Sequence, residues 1–190
     1  MRFYKTGGFS VTELLIVIGV MAVVLAIAGV LSSKVYSRRS VDSVLRNVSS
    51  ALQIAKLKAA RHGVEYRVEL NYSPEEKILS IVTSRGKSNR GSTTYQEETQ
   101  QTVEVLDGFT VEFLKEEPDG VELSNIGVFD FNPNGTLGEA SEIITVEIKP
   151  DSTSSVKRCG QIVVSPFGRI RIVEGNWIKS GQQQLCYPIR

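Results

Sequence analysis

Residues 7–31 form the stretch GGFSVTELLIVIGVMAVVLAIAGVL, in which every residue from Leu14 to Leu31 is apolar. Eighteen residues of α-helix span about 27 Å, close to the hydrocarbon thickness of a bilayer. A helix buried in a globular core normally keeps one polar face, and this run has none. We therefore predict a membrane-embedded helix over residues 9–33.

The residues around this run differ from those of an ordinary secretory signal, in which small residues follow a shorter apolar stretch. Here the small residues Gly7 and Gly8 precede the run, and basic residues lie on both sides of it. Charge asymmetry alone therefore does not set the orientation across a membrane. The flanking basic residues are Arg2, Lys5, Lys34, Arg38 and Arg39.

Glu13 is an acidic residue at the edge of the apolar run. An ionised carboxylate in hydrocarbon is costly, so such residues usually have a partner or a function. At the end of a run, a side chain can also reach the lipid headgroups. The sequence leaves both interpretations of Glu13 open.

Apolar residues recur at three- and four-residue spacing beyond the run, which indicates one face of a continuing helix. Gly63 is a helix stop signal, and no proline occurs before Pro74. We predict an amphipathic continuation over residues 34–63. The apolar positions are Val41, Val44, Leu45, Val48, Leu52, Ala55 and Ala59.

The pattern from residue 64 onwards favours strands separated by glycine and proline turns. We therefore predict an α+β protein, with a long N-terminal helix on an antiparallel β-sheet domain over residues 64–190. The segment 85–101 is polar and predicts a mobile loop. The predicted strands are 64–71, 78–84, 103–106, 109–114, 126–131, 143–149, 161–165 and 169–173.

Charge is unevenly distributed along the chain. Residues 97–151 carry 14 acidic and 2 basic side chains, whereas residues 152–190 carry 6 basic and 1 acidic. A basic tail attracts anionic partners such as nucleic acid or lipid. A solvated surface of alternating sign is the other interpretation.

Known catalytic motifs are absent from the sequence. There is no Gly-x-Ser-x-Gly, no phosphate-binding loop and no histidine-rich metal spacing, since His62 is the single histidine. We therefore predict that the protein is not an enzyme and has no cofactor or metal. A membrane-anchored enzyme or sensor is the alternative of a different class, and it requires a catalytic constellation.

The basic leader, Gly7-Gly8-Phe9, Glu13 and the apolar run together resemble the processing signal of type IV prepilins and type II secretion pseudopilins. The helix end Ala59-Ala-Arg-His-Gly63 and the segments 128–135 and 162–171 are similar to the GspH/FimT class of minor pilins and pseudopilins. The resemblance implies the pilin fold. It also implies a leader over residues 1–8 that prepilin peptidase removes after Gly8, with N-methylation of Phe9.

The resemblance further implies a function in assembly. Glu13 would neutralise the N-terminal amine of a neighbouring subunit, and the chain would assemble through its helix as a minor subunit of a type II secretion pseudopilus or a type IV pilus, supporting protein secretion. The partners would be other pilins or pseudopilins, prepilin peptidase, inner-membrane lipid and an inner-membrane assembly platform. The chain would cross the bacterial inner membrane once, with its C-terminal domain in the periplasm.

Two features of the tail depend on this export. In an oxidising compartment, Cys159 and Cys186 are expected to form one disulfide. Gly168-Arg169-Ile170-Arg171 is similar to a segment of DNA-capturing minor pilins, so DNA binding in natural transformation is the alternative function. Pairing of these arginines with the acidic middle region is the competing interpretation. Lys157, Arg158, Lys179 and Arg190 would extend the basic patch.

Overall fold

The structure is a computed structural model. It describes residues 10–105, 107–117, 120–138, 143–151, 158–180 and 183–188. Within these ranges, side chains are not described at 26–40, 116–117, 120–122, 178–180, 183–185 and 187–188. The chain divides into two compact units, residues 1–36 and 37–190.

A single helix, α1, runs from Val11 to His62 and contributes residues to both units. It ends where predicted, because Gly63 adopts a φ of 67° and its N–H donates to the carbonyl of Ala59 over 3.0 Å. Glycine takes this left-handed conformation without the steric cost that other residues meet. Arg61 and His62 place basic side chains at the negative end of the helix dipole.

The described residues contain ten strands, all of them after the helix. They are β1 Tyr66–Ser73, β2 Ile78–Gly86, β3 Tyr95–Glu104, β4 Phe109–Glu117, β5 Gly120–Ser124, β6 Ile126–Phe131, β7 Ile143–Pro150, β8 Arg158–Val164, β9 Ile170–Ser180 and β10 Gln183–Pro188.

The strands form two antiparallel sheets rather than one. Sheet A has the order β3-β2-β1-β6, and sheet B has the order β10-β9-β8-β7-β4-β5. The α+β class with a long N-terminal helix and antiparallel sheets is confirmed. The division into two sheets was not predicted, because alternation identifies strands but not their partners.

The core of the 37–190 unit lies between the helix and the two sheets. All seven apolar helix positions predicted from residues 41 to 59 are fully buried, or nearly so. They form one cluster with buried side chains of both sheets. The helix lies close to β8, where a Cβ on Gly160 would stand 2.6 Å from Leu45 Cδ1. A side chain at position 160 would therefore require the Leu45 side chain or the helix to move.

The predicted loop over 85–101 is wrong in its second half. β2 extends to Gly86, and β3 begins at Tyr95 and pairs with β2. β3 is an edge strand, and its residues 96–102 are exposed on both faces. Because neither face contacts the core, no apolar alternation marks this strand in the sequence.

The C-terminal strands are longer than predicted. β8 begins at Arg158 rather than 161, and β9 begins at Ile170 and continues to Ser180. β10 pairs with β9 from Gln183 to Pro188 and was not predicted, nor was β5. The tail is therefore part of sheet B.

Candidate functional site

The N-terminus of α1 is capped by a reciprocal pair of hydrogen bonds between Ser10 and Glu13. The Glu13 N–H donates to Ser10 Oγ over 3.3 Å, and the Ser10 N–H donates to Glu13 Oε2 over 3.1 Å. This is a capping box, which satisfies two of the unpaired N–H groups at a helix start. The signal was present as Ser10-Val-Thr-Glu13, but from the sequence the acid was interpreted through the lipid headgroups and a neighbouring subunit, not through capping. Glu13 therefore has a role within its own chain.

The segment from Val11 to Leu25 exposes apolar side chains on every face of the helix. Exposed fractions range from 51% at Val17 to 76% at Val11. Exposed apolar area of this extent marks a surface that contacts another apolar partner. Among the described residues, no helix combines the length and apolarity needed to cross a membrane.

The predicted cleavage site, Gly8 and Phe9, lies outside the described residues. Lys157 and Arg190 of the predicted basic patch also lie outside them. Lys179 belongs to β9, but its side chain is not described.

Cys159 and Cys186 form a disulfide, as predicted, with their Cα atoms 5.8 Å apart. The bond joins β8 to β10 across the intervening strand β9. Both cysteines are buried. The disulfide therefore fixes the last strand to the body of sheet B.

Arg169 and Arg171 are both exposed, and neither guanidinium has an ion pair with a described residue. Arg169 lies one residue before β9, in a turn where its backbone carbonyl accepts a hydrogen bond of 3.0 Å from the Ser165 N–H. Ile170 between them is half-buried. Because Arg169 precedes β9 whereas Arg171 belongs to it, strand alternation does not fix the direction of one side chain relative to the other.

Arg158, which was predicted to extend this patch, forms ion pairs within its own chain. Its Nη2 lies 2.9 Å from Glu174 Oε2 and 3.4 Å from Asp42 Oδ1. These acids are on β9 and α1, so Arg158 connects the helix to sheet B. The register Gly160↔Glu174 that brings this acid into reach could not be derived from the sequence.

A junction between two turns lies beside Arg169. Gly135 and Gly168 have φ values of 82° and 68°, and a Cβ on Gly168 would stand 1.8 Å from the Gly135 carbonyl oxygen. The turn before β9 is thereby fixed against the turn after β6. Phe167, at its tip, is 83% exposed.

A cluster of polar side chains connects the helix end to sheet A. Lys58 Nζ lies 2.8 Å from Glu98 Oε2, and the Tyr66 hydroxyl donates to Glu98 Oε1 over 2.9 Å. The hydrogen bond from Lys58 lowers the pKa of Glu98, whereas burial and then Glu98 raise the pKa of Tyr66 to about 12. His62 Nδ1 lies 2.6 Å from the Tyr66 hydroxyl, so the imidazole belongs to the same polar cluster.

A groove of about 820 Å³ lies beside β1, β4 and β6. Four of the polar side chains that line it, Glu65, Arg67, Tyr95 and Asp130, are held by hydrogen bonds or ring contacts. Arg67 makes two hydrogen bonds to Asp130, of 2.7 and 2.9 Å, and stacks 3.9 Å from the centroid of the Tyr95 ring. Glu65 accepts from the Ser92 N–H and the Tyr95 hydroxyl.

These groove residues were not predicted as a site, because Arg67 and Asp130 are brought together only by the β1–β6 register. Burial raises the pKa of the Tyr95 phenol, so this ring stays neutral and keeps its hydrogen bond to Glu65. Among the described residues, no group of three or more metal-ligating side chains is assembled.

Comparison with known proteins gives one structural similarity. The chain resembles the crystal structure of the type IV minor pilin FimU from Pseudomonas aeruginosa, with 18% identity and a TM-score of 0.47. The match covers 71% of this chain and 89% of that chain. No family model and no curated protein matches.

Proposed function

We propose that this chain is a pilin-like structural subunit that assembles through its N-terminal helix into a type II secretion pseudopilus or a type IV pilus. The observation that supports the proposal is the exposed apolar surface that residues Val11 to Leu25 form on α1. The same helix continues to His62, and its residues 41–59 belong to the core of a folded domain. Removing one exposed Leu, Ile or Val side chain from water contributes about 1.5–3 kcal/mol, whether lipid or another helix covers it. A bundle of similar helices from other subunits would cover this surface on all sides.

The proposal includes a stage before assembly. Prepilin peptidase removes residues 1–8 after Gly8, and Phe9 becomes the methylated N-terminus. Residues 9–33 are then held in inner-membrane lipid, residues 34–63 continue the helix, and residues 64–190 form the periplasmic domain. An inner-membrane assembly platform moves the helix from lipid into the fibre, so apolar surface stays covered throughout.

A disulfide supports a location outside the reducing cytosol. The Cys159–Cys186 bond joins two strands of one sheet, and such bonds persist in oxidising compartments such as the periplasm.

The test is N-terminal mass spectrometry of protein extracted from membranes and from sheared fibres. We expect a chain that begins at methylated Phe9 and retains residues 14–31. Gly8→Ala should accumulate uncleaved chain, because the peptidase selects glycine before the cut. A chain absent from fibres, or one that has lost the apolar run, would contradict the proposal.

A second function is favoured by one observation. Arg169 and Arg171 are exposed without an ion-pair partner among the described residues, although the acidic residues of the middle region are available in the same chain. We propose that these two arginines bind DNA phosphates. Arg158 has no part in this surface, because its guanidinium is occupied by Asp42 and Glu174.

A further inference from the structure

Strand β2 separates two turns of opposite charge. Glu75 and Glu76 lie just before it and Lys87 lies just after it, and all three side chains are exposed. β2 has nine residues. At about 3.3 Å per residue, these two turns are about 30 Å apart.

The turn before β2 belongs to a larger acidic surface. Glu104 pairs with Ile78 at the start of β2, and the Val105 N–H donates to the Lys77 carbonyl over 2.8 Å. These contacts bring Glu104 and Asp107 to the same end of sheet A. We call Glu75, Glu76, Glu104 and Asp107 the acidic end. All four are exposed, and none has an ion pair with a described residue.

The opposite end of sheet A is basic. Arg61 lies in the last turn of α1, and Arg85 lies opposite Tyr66 near the end of β2. Backbone hydrogen bonds from Glu65 to Ser88 and from Gly86 to Glu65 hold the following loop in place. We call Arg61, Arg85, Lys87 and Arg90 the basic end. All four are exposed without an ion-pair partner among the described residues.

Local acids do not neutralise the basic end. Glu98 forms an ion pair with Lys58, and Glu65 is buried and accepts hydrogen bonds from Ser92 and Tyr95, which leaves Glu97 as the exposed carboxylate on the adjoining part of β3. Lys77 is the corresponding cation beside the acidic end. Unlike charges therefore dominate the two ends, and β2 holds them too far apart to pair within one chain.

We propose that the acidic end of one copy docks on the basic end of the next copy. This inference rests on the proposed assembly function and adds the orientation of neighbouring copies, which is head to tail. A contact between two different surfaces of the same chain is heterologous, so it propagates head to tail into an open fibre unless its rotation closes a ring. Complementary charge fixes which ends meet and excludes contacts between like ends.

Carbodiimide coupling tests this contact, because it joins a carboxylate directly to an amine with no spacer. Full-length protein in detergent micelles should form amides between Glu75 or Glu76 and Lys87. A mixture of ¹⁵N-labelled and unlabelled chains would show by mass spectrometry that each bond joins two copies. The yield should fall steeply between about 0.05 and 1 M salt, where the screening length shrinks to about 3 Å.

Two matched variants separate the electrostatic attraction between the two ends from the chemical reactivity of Lys87. Arg85→Gln with Arg90→Gln keeps the reactive Lys87 but removes two positive charges from the basic end. We expect the yield to fall about tenfold, which corresponds to about 1.4 kcal/mol. Thr99→Glu with Gln100→Glu changes the net charge equally at exposed positions in the middle of β3. This control should couple as well as wild type.

An absence of bonds between copies, or equal yields from both variants, would overturn the proposal. Coupling of Lys87 to carboxylates of a different protein or binding of DNA at the basic end, without the Glu–Lys bond between copies, would also overturn it. If wild-type chains enter fibres in cells but give no such bond, the assembly function stands and the head-to-tail contact is wrong. If the bond forms in micelles but no chain enters fibres, the function fails instead.

Discussion

The side-chain amine of Lys56 donates a hydrogen bond of 2.8 Å to the backbone carbonyl of Gly168, 112 residues further along the chain. A Cβ on Gly135 would lie 2.9 Å from Lys56 Cε, so the same lysine also lies against the other turn of the junction. The turn after β6 and the turn before β9 therefore both contact the Lys56 side chain of α1. The position of Arg169, the next residue, depends on this contact.

Gly168→Ala should destabilise the protein, because the new Cβ has no space and the φ of 68° is unfavourable for alanine. We expect a backbone cost of about 1–2 kcal/mol plus about 1–3 kcal/mol for displaced atoms. Gly91→Ala is the control, since its φ of 63° is similar but nothing lies within 4 Å of its Cβ. Urea unfolding should show the larger loss for Gly168→Ala, and equal losses would contradict the close approach.

Glu98→Gln should reveal a pH-dependent contribution to stability. The pKa of Glu98 is lowered chiefly by the hydrogen bond from Lys58, so its contribution is present above its unfolded pKa of about 4.3. That contribution is lost as the pH falls through the lower folded value. We expect Glu98→Gln to cost about 0.5–1 kcal/mol at pH 7 and progressively less below about pH 4. Thermal unfolding of both proteins from pH 2.5 to 7 measures this trend, and a difference between wild type and Glu98→Gln that stays constant over this range would contradict it.

Removal of the disulfide should destabilise sheet B. The bond closes a loop with a sequence separation of 27, for which the chain-entropy model gives about 3–4 kcal/mol. The double variant Cys159→Ser, Cys186→Ser should lose this amount in urea unfolding, and reduced wild type should behave alike. Non-reducing peptide mapping supplies the direct check. Two free thiols in protein from the periplasm would contradict the bond.

Substitutions at the helix start should separate the two roles of Glu13. Glu13→Gln keeps an oxygen that can accept from the Ser10 N–H but removes the charge, whereas Ser10→Ala removes half of the capping box and costs about 1 kcal/mol locally. If Glu13 also pairs with the amine of a neighbouring subunit, Glu13→Gln should lower fibre incorporation about tenfold, equivalent to about 1.4 kcal/mol. Ser10→Ala should lower it less. Normal incorporation of Glu13→Gln would leave capping as the role of this residue.

DNA binding by Arg169 and Arg171 should depend on salt. Titration of full-length protein in detergent with double-stranded DNA should show binding that is independent of sequence. Arg169→Ala with Arg171→Ala should reduce the slope of log K against log salt by about 1.8, or about 0.9 for each phosphate contact. Arg46→Ala removes an exposed charge from the helix and serves as the control. Binding that is unaffected by the double variant would exclude this surface.

The sequence predicted the structure best where the structure depends on regular spacing between residues close together in the chain. The buried helix face from Val41 to Ala59 follows from its spacing alone, and Gly63 marks the helix end through its own backbone preference. Contacts that depend on strand register were not accessible in this way. Arg158 meets Glu174 only because β8 and β9 pair as they do, so an arginine predicted for DNA forms ion pairs within its own chain.

The exposure of β3 on both faces has a consequence for aggregation of the isolated chain. An unpaired strand edge is a template for amyloid-like aggregation, especially where it is apolar and flat. Residues 96–102 present glutamate, glutamine and threonine at this edge, and the pairing register shifts between Thr83 and Ser84 of the neighbouring strand. The negative charges and the irregular register oppose the stacking of identical chains through β3. The segment that lacks hydrophobic residues therefore protects the chain against edge-to-edge aggregation.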